Sequence, residues 1–69
     1  MRVGDRVIYV PNHAFGNRCH EDAEHGRITS FSKNGETVFV RFDKDVARLG
    51  WDSSTSKGCY PNTLVLEEV

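Results

Sequence analysis

Asn34-Gly35 stands between two runs of β-branched and aromatic residues, Ile28-Thr29-Ser30-Phe31 and Thr37-Val38-Phe39-Val40-Arg41-Phe42. Asn and Gly accept the left-handed backbone of a tight turn at little cost, so the middle of the chain reads as a β-hairpin. In a chain of 69 residues that hairpin must carry much of the core, because a domain this small hides only part of its apolar surface. Its register therefore decides which side chains are inside. A two-residue Asn-Gly loop sets Phe31 opposite Val38 and turns Ile28 toward the face of Phe39 and Arg41. A three-residue Lys33-Asn34-Gly35 loop pairs Ile28 with Val40 and Ser30 with Val38. The second register gathers Ile28, Val38, Val40 and Phe42 inside and leaves Phe31 and Phe39 outside, and it is preferred because the first sacrifices Ile28.

The remaining elements are short. Val3–Val10 reads as a strand that stops at Pro11-Asn12, with a bend or bulge at Gly4-Asp5. Residues 12–25 and 44–57 lack both helical and alternating periodicity and read as two long loops, with one helical turn at Val46–Leu49 stopped by Gly50. Gly58–Tyr60 and Leu64–Glu67 are expected as two short strands around a tight turn at Pro61-Asn62-Thr63. The expectation is an all-β chain, residues 1–69 forming one small five-stranded, partly open barrel with two long loops.

Charge and cysteine usage narrow the function classes. Nine Lys and Arg against ten Asp and Glu give a net charge of -1, which argues against a partner held mainly by counterion release, such as bulk duplex DNA. No apolar run approaches the length of a membrane span, and the N-terminus has no signal-peptide pattern. Two cysteines, Cys19 and Cys59, are then expected as reduced thiols in a cytoplasmic protein.

The segments Val3-Gly4-Asp5-Arg6-Val7, Gly26-Arg27-Ile28, Val38-Phe39-Val40-Arg41-Phe42-Asp43 and Tyr60-Pro61 before Leu64 and Leu66 resemble the SH3-like barrels, the group that includes KOW and Tudor domains. That resemblance implies the barrel fold and a short helical turn before the last strand, and it bears on fold more than on function. The plasmid-borne trimethoprim-insensitive dihydrofolate reductases share the Gly-Asp-Arg-Val opening and the Tyr-Pro. Their Gln-Ile pair is replaced here by Gly58-Cys59, so reductase activity is not implied. The pattern Pro11-Asn12-His13-Ala14, Gly16, His20, Asp22, Glu24 and Gly26 resembles uncharacterised short phage and prophage proteins, which implies an accessory role in bacterial cells.

Three groups of residues offer chemistry. Tyr9, Phe15, Trp51 and Tyr60 lie in or beside the two loops, where a rim of aromatics would receive a protein or peptide. This is the favoured reading. Phe31, Phe39 and Arg41, with Arg27 and Lys33, alternate aromatic and cationic groups on the outer sheet face, the pattern of a single-stranded nucleic-acid platform. This is the alternative. His13, Cys19, His20 and His25, with Cys59, are borderline or soft metal ligands, and a metal staple would suit a long loop in a small domain. Their spacing matches no zinc finger, so no metal or cofactor is expected, and histidines bonded to Asp22 or Glu24 are the simpler outcome. The carboxylate groups Glu21, Asp22, Glu24 and Asp43, Asp45, Asp52 lack calcium-loop order and are expected to be solvated. No nucleophile, phosphate loop or paired acid and base is present, so a non-catalytic binding module is expected.

Overall fold

Residues 1–67 are described by a computed structural model of the chain. Five strands form one antiparallel sheet: β1 Arg6–Tyr9, β2 Glu24–Phe31, β3 Val38–Phe42, β4 Lys57–Cys59 and β5 Leu64–Leu66, in the spatial order β4-β3-β2-β1-β5. The chain is all-β apart from 3-10 helices at Asn12–Ala14 and Pro61–Thr63 and one helix, α1, Asp43–Leu49. A partly open five-stranded barrel was expected; the five strands form one sheet whose edges, β4 and β5, are joined through Pro61–Thr63 but not paired, so the barrel is not closed. Val7, Ile28, Val38, Val40, Phe42 and Leu64 form the main core on the inner face, with Tyr9 and Cys59 packed against it, so all five strands contribute.

The hairpin uses both candidate registers. Next to the turn Phe31 pairs with Val38 and Ser30 with Phe39, while beyond it Ile28 pairs with Val40, Arg27 with Arg41 and Gly26 with Phe42. Thr29 is the extra residue between the two registers, a β-bulge that shifts β2 by one position. The turn demands the first register: Ser32 N–H donates to Thr37 O at 2.9 Å, Gly35 N–H to Ser32 O at 3.0 Å, and Gly35 has φ +76°. The Asn34 side chain holds it, its Oδ1 accepting from Glu36 N–H at 3.1 Å and from the Ser32 hydroxyl at 2.9 Å. Burial of Ile28 demands the second register, and the bulge reconciles the two. The expected pairing of Ser30 with Val38 is thereby corrected. Directly opposite Val38, Phe31 belongs to the Val38 face and not to that of Phe39 and Arg41.

Both long loops are shorter than expected. The 12–25 segment opens with a 3-10 helix and its last two residues already belong to β2. Its Ala14 and Ala23 join Ile8, Val10 and Val65 in a second small core that covers the outer face of β1 and β5. The 44–57 segment is mostly α1 and a turn. Asp43 and Asp45 in the first turn and Arg48 in the last complement the helix dipole, and Gly50 at φ +83° stops the helix. No helix among the described residues is long and apolar enough to cross a membrane.

Candidate functional site

With β1 and β5 covered by the 11–23 segment, the exposed part of the outer face belongs to β2 and β3. Partner residues in a sheet share a face, and Arg6 pairs with Arg27, which pairs with Arg41. Three guanidinium groups therefore form a row across the middle strands. Arg6 is committed: Nη1 donates to Asp43 Oδ1 at 2.7 Å, Nη2 reaches Asp43 Oδ2, and Nε lies 3.4 Å from Glu67 Oε2. The hydrogen bond from Arg6 holds the Asp43 carboxyl below its usual range. Arg27 and Arg41 have no carboxylate within ion-pair distance among the described residues.

Arg41 is held by an aromatic ring instead. Its guanidinium lies 4.4 Å from the centroid of the Trp51 ring, a cation–π stack. Arg41 Nε is buried without a hydrogen-bond partner, so stacking is what orients the side chain. Trp51 is placed by the turn after α1. The buried Ser54 donates its N–H to Gly50 O at 3.0 Å and its hydroxyl to Trp51 O at 2.8 Å. Ser56 Oγ meets the bulged Thr29 Oγ1 at 2.6 Å, which fastens the end of the turn to β2. Trp51 stays 46% exposed, so its ring is available to a ligand. Phe39, two residues from Arg41 on the same strand face, is half-buried and lies over Gly58, where a Cβ would come 3.6 Å from its ring.

The other expected site residues are dispersed. Tyr9 lies on the inner face, its ring 6.2 Å from that of Phe42, whereas Trp51 stacks on the outer face. The rim of four aromatics is therefore not assembled: these two are on opposite faces of the sheet. Phe15, 94% exposed at φ +51°, and Tyr60 project separately into solvent. Lys33 is exposed on the hairpin turn.

The histidines separate as well. His13 and His20 approach each other edge to face at 5.2 Å and meet Asp22, whose Oδ2 is 2.7 Å from His13 Nε2. His25 sits instead 3.4 Å from Glu67, and Cys59 packs on the inner core, where burial pushes its thiol pKa up. Both cysteines are free. Three of the six acidic residues expected to be solvated are paired with Lys or Arg: Glu24 with Lys44, Asp43 with Arg6, and the buried Asp45 with Arg48 at 3.7 Å and Lys57 at 3.5 Å.

Sequence reasoning placed Phe39 and Arg41 together through the period of β3, and it selected Trp51 only as a loop aromatic. The stack of Trp51 on Arg41 had no local signal, because α1 and a turn intervene. Comparison with protein-family models, with curated proteins and with solved structures finds no match.

Proposed function

We propose that the protein is a small non-catalytic binding domain that receives single-stranded nucleic acid on the outer face of β2 and β3. The carrying observation is the exposed Trp51 ring stacked on an Arg41 that has no carboxylate partner, with Arg27 beside it. Bases stack on such a ring without regard to sequence, and adjacent guanidinium groups hold the backbone phosphates. A net charge of -1 does not oppose this. Arg6, Lys44, Arg48 and Lys57 absorb Asp43, Glu67, Glu24 and Asp45, while Arg27, Lys33 and Arg41 remain without carboxylate partners among the described residues. The strand order, and the 3-10 helix at Pro61–Thr63 before the last strand, support reading the scaffold as an opened SH3-like barrel.

The chain has one tryptophan, so its fluorescence reports on this face alone. Titration with a short oligothymidylate or oligouridylate should quench Trp51, and the affinity should fall as salt rises. Arg27→Ala and Arg41→Ala should each reduce the slope of log K against log salt by about 0.7, the value for one lost phosphate contact on a single strand. Phe39→Ala should cost about 1–3 kcal/mol of binding. Absence of quenching at millimolar oligonucleotide, or amide shifts confined to Phe15 and Tyr60, would reject this face and return attention to a peptide at the loops.

A further inference from the structure

Outside that face, His13, His20 and Asp22 each offer a ligand atom, and the three atoms lie within 4.8 Å of one another. We propose that these residues bind one divalent transition-metal ion of the zinc class, which ties the first 3-10 helix to the turn before β2. Imidazole nitrogen and carboxylate oxygen are the donors such ions take, and two histidines with one carboxylate is a recurrent three-ligand set.

The arrangement comes from two separate parts of the loop. His13 belongs to the 3-10 helix Asn12–Ala14, and its neighbour Ala14 is buried in the second core. His20 and Asp22 belong to a succession of tight turns in which His20 N–H donates to Asn17 O at 3.1 Å and Ala23 N–H to His20 O at 2.9 Å. Ala23 packs against the same core. Each ligand group is thus next to an anchored alanine, and the three side chains converge on the solvent side. Spacing alone hides this site, because the turns bring together ligands separated by seven and two residues.

Without metal the cluster is held by hydrogen bonds. His13 Nε2–H donates to Asp22 Oδ2 at 2.7 Å, and Asp22 N–H donates to His20 Nδ1 at 3.0 Å. A metal ion takes the place of the proton on His13 Nε2, which moves by way of water to Nδ1 of the same ring, and His20 gives up its bond to the Asp22 amide. Two neutral imidazoles and one carboxylate leave the ion with a net positive charge, and water completes its coordination. The segment gains from this, since the core beneath it is small, built on Ile8, Val10 and Ala14 with Ala23 and Val65 packed against them.

The test is calorimetric titration of the untagged, metal-stripped chain with zinc chloride, repeated with cobalt for its visible spectrum. One ion per chain with a Kd below about 100 µM is expected, with a rise in melting temperature. His13→Ala, His20→Ala and Asp22→Asn should each weaken binding about tenfold or more, and His25→Ala should leave it unchanged. All four positions are on the surface or only half-buried, so circular dichroism should confirm that the variants fold. Weaker binding by the parent chain, or equal affinity in His13→Ala and His20→Ala, would overturn the assignment.

Discussion

Arg6, Arg27 and Arg41 occupy equivalent positions in one cross-strand row, and their neighbours give them different roles. Arg6 meets Asp43 in a two-pronged pair and serves the scaffold, whereas Arg41 stacks on the Trp51 ring and has no carboxylate partner among the described residues. The Arg6 pair has a consequence for pH. Arg6 lowers the Asp43 pKa in the folded protein, so the unfolded chain binds that proton more readily. The resulting stability is complete above the ordinary carboxylate range of about 4 and is lost as pH falls through the lower folded value. The pair is partly exposed, with the Asp43 side chain at 48%, so its worth is screened to at most about 1 kcal/mol. Urea midpoints should show Asp43→Asn less stable than the parent at pH 6, with the gap narrowing as pH falls below the ordinary carboxylate range of about 4. A gap that persists at low pH would show that packing, not charge, is what the substitution removes. None of this was legible in the sequence, because Arg6 and Asp43 are 37 positions apart.

Among the elements, β2 does the most to shape the molecule. Gly26 lies where β2 passes between β1 and β3, opposite both Val7 and Phe42. A Cβ there would come 2.6 Å from Val40 Cγ1 and 2.9 Å from Arg41 O, so space rather than backbone angle excludes a side chain. Gly26→Ala should lower stability by about 1–3 kcal/mol in chemical denaturation, and an unchanged midpoint would contradict the close approach. Three residues further on, the Thr29 bulge turns β2 so that Ile28 faces the core while the turn keeps its preferred geometry. The two registers were each legible as hairpin alternatives. Their coexistence was not, since a bulge answers two distant demands at once. For α1 the sequence showed only its end, Val46–Leu49 and Gly50. Seven residues span barely two turns, too few for a helical period to be recognised.

Over the whole molecule, the sheet has a core on each face. The main core lies on the inner face, and the second sits under the 11–23 segment on the outer face of β1 and β5. Ile28, at 1% exposed, is among the most buried side chains, and Ile28→Ala should cost about 2–5 kcal/mol, most of the stability a domain this small possesses. Loss of cooperative thermal unfolding in that variant is the expected outcome, and a sharp transition near the parent's would show that the inner core tolerates the cavity. Legible in the residue pattern alone were the all-β class with its partly open sheet, the central hairpin, the inward set Ile28, Val38, Val40 and Phe42, and the stop at Gly50. Alternation, turn chemistry and glycine act over a few residues and leave a local trace. Long-range packing settled instead that Trp51 covers Arg41 while Tyr9 turns to the opposite face, and that His13 meets His20 and Asp22. Those outcomes depend on which loop packs over which strand, and that is settled by burial and charge pairing between residues far apart in the chain.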